Sequence, residues 1–407
     1  MQTTNTTGRK RKIIHMDLDA FFCAVEELKN PALSGKCFAV GGSPDQRGVI
    51  ASCSYAARRY GVHSAMPTAQ AIKLCPKLIL VSSRHDEYSQ ISSSVMAILA
   101  ELTPVMEQVS IDEAFLEVTD LADSGEIIAK NLQYKIKEQT GLSASFGVNS
   151  NKLVAKIAND FGKKQSRGDT YPGAIQVVEF GKEAEFMAPL PVAMLWGVGP
   201  KTTQRLGNIG VKTIGDLAKL SENSLVELFG KNGVFLRQRA MGIDDSDVES
   251  YEETKSISQE VTFNRDIVDV EVLLAEIKEI SEKLGYKLRS KKLLAQSVRV
   301  KFRYYDFRTF TRQKKLSQPV NQDGIIYDAA SQILTQNWDL LTPVRLIGVG
   351  VSQLSDETFQ LSLWETDEAR ERKLLTVIDT LKVKYGRDII RKASRMKKGE
   401  NNQEDID

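Results

Sequence analysis

Cysteine and histidine are scarce in this chain of 407 residues, at four and three. Cys23, Cys37, Cys53 and Cys75 show no C-x-x-C spacing, and His15, His63 and His85 stand far apart. A zinc site is therefore not expected, a Cys or His nucleophile is unpromising, and a reducing, cytoplasmic compartment is the expectation. The cysteines read as small core residues. No stretch approaches the ~18 consecutive apolar residues of a membrane span. Met1 to Lys12 is Thr-rich and then basic, with no apolar segment behind it, so it reads as a flexible lead-in and not as a signal peptide. Aromatic residues make up only 7%, and 55 Lys and Arg are nearly cancelled by 53 Asp and Glu. The net charge of +2 does not by itself announce a nucleic-acid binder.

What is present is an ordinary globular composition, 42% hydrophobic and 27% charged. The length suits roughly two to four domains with ample cores. The charge is unevenly placed. From Lys283 to Lys315 there are twelve basic residues, and Asp306 is the only acid among them. Such a patch can neutralise phosphates whatever the overall sum, although a solvated basic surface has the same composition.

Two stretches carry candidate chemistry. Ile13-Ile14-His15-Met16-Asp17-Leu18-Asp19 reads as a short buried strand with carboxylates at its C-terminal end, and the aromatic pair Phe21-Phe22 follows at once. Ser110-Ile111-Asp112-Glu113-Ala114 places two carboxylates side by side. In a regular strand these would face opposite ways, so the backbone must turn if both serve one site. Hard oxygen donors from separate strands are what two Mg²⁺ ions need for in-line displacement at phosphorus. In so acidic a chain either piece alone is equally a solvated strand end.

Taken in order, His15-Met16-Asp17-Leu18-Asp19-Ala20-Phe21-Phe22, then Ser54-Tyr55-Ala56-Ala57-Arg58, then Ser110-Ile111-Asp112-Glu113-Ala114-Phe115 resemble the Y-family translesion DNA polymerases of the DinB class. The resemblance runs from about residue 10 to about residue 355. It implies an α+β multidomain, right-hand polymerase with a ferredoxin-like palm, small fingers, a helix-hairpin-helix thumb and a C-terminal α/β little-finger domain. The corresponding bounds are a lead-in at 1–11, palm at 12–22 and 78–165, fingers at 23–77, thumb at 166–241, linker at 242–254, little finger at 255–354 and a tail at 355–407.

The resemblance also implies residue roles. Asp17, Asp112 and Glu113 would be catalytic and, with the Leu18 carbonyl, would hold two Mg²⁺ ions. Phe21 and Phe22 would lie beneath the sugar, with Phe22 the steric gate against a ribose 2′-hydroxyl. Ser52, Tyr55 and Arg58 would hold the incoming triphosphate; Tyr55 and Arg58, three apart on a helix from Ser54 to Gly61, share a face. Lys163 matches the lysine that contacts the triphosphate. The usual turn after it is replaced by Lys164-Gln165-Ser166-Arg167-Gly168, so Lys164 stays open as the alternative. Small Ala51 and modest Val49 over the base pair imply a tolerant pocket.

Beyond the palm, Trp196-Gly197-Val198-Gly199-Pro200-Lys201 sits between two helical runs. Gly197, Gly199 and Lys201 would bind a DNA phosphate at a helix start, where free N–H groups favour an anion; a tight turn has the same composition. Residues 228–233 are a weaker second copy. The stretch from Gly242 to Glu253 is acidic and poor in apolar residues, as a linker would be. From Ser297 to Tyr304 the residues alternate: Val298, Val300 and Phe302 on one side, and Arg299, Lys301 and Arg303 on the other, as a DNA-facing surface. Gln360-Leu361-Ser362-Leu363-Trp364 resembles a sliding-clamp-binding peptide, or else is a strand packed on its own domain.

The expected function is low-fidelity, template-directed DNA synthesis in lesion bypass, by a monomer that binds primer–template DNA and deoxynucleoside triphosphates and no membrane. With no exonuclease-sized region beside the assembly, proofreading is not expected. The alternatives are another palm-fold nucleotidyl enzyme, such as a cyclase, and a non-catalytic DNA-binding scaffold. A cyclase needs neither the Gly-rich thumb loop nor the basic strand, and a scaffold would more often show a broken carboxylate set.

Overall fold

The computed structural model describes residues 10–166, 168, 170–250, 253–357 and 367–386. The chain divides into two compact units, Met1–Glu252 and Glu253–Asp407.

The first unit begins with β1 (Ile13–Leu18), which runs straight into α1 (Phe21–Lys29). A small subdomain follows, made of β2 (Phe38–Gly41), β3 (Ile50–Cys53), α2 (Tyr55–Arg58), α3 (Thr68–Leu74) and β4 (Ile79–Val81), with strand order β3-β2-β4. The main sheet resumes through α4 (His85–Ala100), β5 (Met106–Gln108), β6 (Glu113–Glu117), α5 (Gly125–Thr140), β7 (Ala144–Asn149), α6 (Lys152–Gln165) and β8 (Ile175–Val177). Its order is β5-β6-β1-β7-β8, so β1 is the central strand, antiparallel to both neighbours.

Alternation along β1 sorts its side chains. Ile14, Met16 and Leu18 enter a core shared with α1, α4 and α5. His15 and Asp17 face the other way and meet Asn159 and Lys163 of α6. That helix lies close because Gly147, opposite His15 on β7, has no side chain. A Cβ there would fall 1.9 Å from the Ala155 carbonyl oxygen.

The helix expected from Ser54 to Gly61 closes after one turn at Arg58. Ser54 caps it through the Ala57 N–H, and Gly61, at φ 83°, turns the chain away. The long helix α4 starts at His85, with Asp86 and Glu87 in its first turn, where acids meet the positive end of the helix dipole.

The remaining helices of this unit are α7 (Glu183–Met187), α8 (Pro200–Gly207), α9 (Ile214–Lys219), α10 (Glu222–Phe229) and α11 (Asn232–Ala240). Pro200 occupies the first position of α8, where its missing N–H costs nothing. Residues 242–250, expected as a linker, instead lie along the main sheet. Asp244 accepts from the Leu153 N–H at the start of α6, Lys152 donates to the Asp247 carbonyl, and Val248 is buried.

The second unit runs β9 (Ser256–Ile267), α12 (Val270–Ser290), β10 (Leu293–Tyr304), β11 (Thr309–Val320), α13 (Asp323–Asn337), β12 (Val344–Asp356) and α14 (Asp367–Tyr385). Its antiparallel sheet has the order β11-β10-β12-β9. Val298, Val300 and Phe302 pack with α12 and α13, which leaves Arg299, Lys301 and Arg303 on the other face of the sheet, which no described helix of this unit covers. Gln360, Leu361, Leu363 and Trp364 lie outside the described residues. Among the described residues, no helix is long and apolar enough to cross a membrane.

Candidate active site

The carboxylates converge through strand register. Asp17 on β1 lies directly opposite Glu113 on β6, and the Leu18 N–H donates to the Asp112 carbonyl at 2.9 Å. Asp112 sits just before β6, where the backbone turns. Its Oδ1 accepts from the Ser110 hydroxyl at 2.6 Å. The resulting cleft, of about 290 Å³, is lined by Asp17, Leu18, Phe21, Phe22, Ala51, Ser52, Tyr55, Arg58, Asp112 and Lys163, among others.

Each of two carboxylates rests against cations of the protein. Lys163 Nζ lies 2.5 Å from Asp17 Oδ1, and Lys156 Nζ lies 2.7 Å from Glu113 Oε1. Burial pushes the Asp17 carboxyl above its ordinary range, against the pull of Lys163. Glu113 goes the other way. Burial alone would raise it, but the hydrogen bond with His15 and the charge of Lys156 hold it at about 2.

His15 is fully buried, and burial lowers its pKa. The Asn159 amide donates to the Ser145 carbonyl at 2.9 Å and also reaches His15 Nδ1 at 2.9 Å. Nδ1 is thus the acceptor, and Nε2–H donates to Glu113 Oε1 at 2.6 Å. Asp19, the second acid of the strand end, is wholly buried. It accepts from the Ser143 and Ser145 hydroxyls and the Gly173 N–H at 2.7, 2.8 and 3.0 Å, so it ties β1 to β7 and does not face the cleft.

Ala20 turns the chain between strand and helix in the left-handed region, at φ 43°. The turn sends Phe21 and Phe22 back over the sheet end. Phe21 is 2% exposed and serves as floor. Phe22 stacks on Tyr88 with ring centroids 4.4 Å apart and planes 15° from parallel. Tyr88 in turn donates to Glu26 at 2.6 Å, and Arg84 pairs with the same carboxylate. On the far wall, the Arg58 guanidinium lies over the Tyr55 ring at 4.5 Å and donates to the Cys53 carbonyl at 3.3 Å. Of the two candidate lysines, Lys163 faces the cleft and Lys164 is exposed.

A second cavity of about 430 Å³ joins Arg58 and Lys163 to Trp196, Gly197 and Val198. Gly197 has φ 92°, which favours glycine, and a Cβ at Gly199 would meet nothing within 4 Å, so a ligand can approach that backbone closely. Lys201 is exposed on the first turn of α8. Among the described residues, no three His, Cys, Asp or Glu side chains are grouped as a ready metal cage.

Comparison with known proteins bears on this arrangement. The impB/mucB/samB family model matches residues 16–160, its C-terminal domain model matches 254–363, and the helix-hairpin-helix motif of the same family matches 181–211. The chain belongs to the impB/mucB/samB family. A DNA polymerase IV of Desulfatibacillum aliphaticivorans is 39% identical over 94% of this chain and 96% of its own. A DNA polymerase IV of Listeria monocytogenes is 36% identical over 86% and 97%. Among solved structures, a Y-family DNA polymerase chimera of Dbh and Dpo4 has a TM-score of 0.73 at 26% identity, over 84% of this chain and 98% of that one. This family member is accordingly a translesion DNA polymerase with the right-hand architecture of Y-family enzymes.

Sequence reasoning did not single out His15, Asn159, Lys156 or Tyr88 as parts of the site. A signal was there for three of them. His15 is two residues from Asp17 and shares its strand face, and Lys156, Asn159 and Lys163 follow helical spacing on α6. For Tyr88 there was none, since only the fold brings it to Phe22.

Proposed function

We propose that nucleotidyl transfer takes place in the cleft at Asp17, Asp112 and Glu113, and that these carboxylates with the Leu18 carbonyl hold two Mg²⁺ ions. The observation that carries this is the register of Asp17 with Glu113 beside the Leu18–Asp112 hydrogen bond, which puts all three carboxylates at one sheet end. The donor set is hard oxygen throughout, and the ammonium groups of Lys156 and Lys163 already mark positions where positive charge is stabilised. When bound, such ions lower the pKa of the primer 3′-hydroxyl and offset charge on the reacting phosphate and the departing pyrophosphate.

The chain's own groups do the rest. Arg58, braced by Tyr55 and Cys53, presents a guanidinium that can grip triphosphate oxygens in two places, and Ser52 and Lys163 complete the anion site. Phe22 blocks the space a ribose 2′-hydroxyl would need, and Phe21 supports it from below. Ala51 leaves room over the base pair, which fits tolerance of damaged templates and low fidelity. Gly197, Gly199 and Lys201 hold the duplex by its phosphates, as do Arg299 and Arg303 on the second unit, where Lys301 lies on the same face. Solved relatives described as ternary complexes of Dbh support primer–template DNA and a deoxynucleoside triphosphate as the ligands. We further read the enzyme as a monomer that docks on a sliding clamp through Gln360, Leu361, Leu363 and Trp364.

Ribonucleotide exclusion tests the cleft directly. Replacing Phe22→Ala should let the enzyme add ribonucleotides to a primer in Mg²⁺ with a rate at least roughly a hundredfold above that of the unaltered protein, about 2.7 kcal/mol of lost discrimination. Unchanged exclusion of ribonucleotides would mean that the sugar lies elsewhere.

A further inference from the structure

The uncovered face of the second unit's sheet can be written out from its register. Four rows run across β11, β10, β12 and β9: Lys315-Ser297-Ser352-Ser256, Gln313-Arg299-Gly350-Ser258, Thr311-Lys301-Gly348-Glu260 and Thr309-Arg303-Leu346-Thr262. These positions hold four cations and one acid, Glu260. The acid is not idle. Lys301 Nζ lies 2.9 Å from Glu260 Oε1 and 2.8 Å from Oε2.

That contact spans two strand spacings, about 10 Å of sheet. It is possible because Gly348 stands between the partners. A Cβ there would come within 2.6 Å of Glu260 Cγ, so the missing side chain is the seat on which Glu260 lies. Gly350 does the same for Arg299, whose guanidinium would lie 3.3 Å from a Cβ at that position. The two glycines form a trough, and the cations beside it lie down on the sheet.

An exposed ion pair of this kind contributes little to folding, because water screens it and two long side chains must be ordered. Its main effect is on the charge that the face offers. We propose that Glu260 is a built-in brake on DNA affinity: it occupies Lys301 and repels the phosphate that Lys301 would otherwise neutralise. This rests on the reading of the sheet as a DNA-binding face. A polymerase that must leave its template after a short patch gains from one phosphate contact fewer.

The experiment is fluorescence anisotropy of labelled primer–template DNA with the full chain over a salt series. Glu260→Gln should tighten binding about fivefold near 0.1 M salt and steepen the slope of log K against log salt by about 0.9, one added phosphate contact. Lys301→Gln should weaken the parent's binding less than Arg299→Gln does, because Glu260 already holds that ammonium, yet cancel the gain in the Glu260→Gln background. Arg299→Gln is the control on the underlying reading and should weaken binding. If Arg299→Gln weakens binding but Glu260→Gln does not tighten it, the brake is wrong and the face stands. If neither changes affinity, the face itself does not bind DNA and the brake falls with it.

Discussion

Phe22 owes its position to a side chain 66 residues away in sequence, since its ring is held flat by Tyr88. The stack is completed from behind, where the Tyr88 hydroxyl is satisfied by Glu26 inside the core. Removing the ring in Tyr88→Ala would take away an aromatic contact of about 1 kcal/mol and leave a cavity that costs about 3 kcal/mol or more in stability. At a temperature where the variant remains folded, Phe22 should move more freely. Competition between ribo- and deoxynucleotides in primer extension should then show discrimination reduced about tenfold, less than in Phe22→Ala. Discrimination equal to that of the parent would show that Phe22 needs no such support. Residue identity carried much of the site. Asp17, Asp112, Glu113 and Lys163 were singled out through the resemblance of their motifs to the Y-family, since either carboxylate stretch alone is equally a solvated strand end. The partners that set the protonation of Glu113 were less legible, because a lone histidine in an apolar strand looks like any buried histidine.

At the scale of elements, alternation placed the β1 and β10 strands, and the acidic stretch after α11 is where composition misled. Residues 242–250 were expected to be a tether because they are acidic, but those acids are used. Asp244 satisfies an N–H at the start of α6, where a carboxylate also meets the positive end of the helix dipole. The Glu249 N–H is likewise bound by Glu107. Composition alone does not distinguish a solvated acid from a capping one. The junction of α1 and α4 offers a pH test. Burial would raise the Glu26 carboxyl, but the hydrogen bonds from Arg84 and Tyr88 outweigh it and hold the pKa below the ordinary value. A carboxyl that is more acidic when folded adds stability above its unfolded pKa, near ~4.3, and that contribution is lost as pH falls through the folded value. Urea unfolding of the first unit should therefore show Glu26→Gln less stable than the parent at pH 7, with the gap closing as the pH falls below about 4. A gap that stayed constant with pH would assign the loss to packing alone.

Across the whole molecule, the division is between a unit that carries the proposed catalytic carboxylates and a unit whose sheet shows a basic face. The near-zero net charge concealed this, since acids concentrated elsewhere offset the basic run from Lys283 to Lys315. Of that run, the placement of Arg299, Lys301 and Arg303 on one face, with Val298, Val300 and Phe302 turned to the helices, was readable from alternation of period two. The clamp-like peptide belongs to this scale because it would act by raising local concentration at the primer end. With a circular primed template and a loaded sliding clamp, replacing Gln360→Ala together with Trp364→Ala should shorten products to the length made without the clamp. Clamp-dependent lengthening that survives both changes would place the docking segment elsewhere.

On the proposed function, the carboxylates at the end of β1 and β6 perform the chemistry of this family member. Single-nucleotide addition to a primer in Mg²⁺, followed by rapid quench and with DNA affinity measured in parallel, tests it most directly. Asp112→Ala should lower the rate of templated addition by at least roughly a thousandfold, some 4 kcal/mol of barrier, while primer–template affinity stays within about threefold of the parent. Templated addition that persists at the parental rate in Asp112→Ala would contradict the account and put the catalytic centre elsewhere.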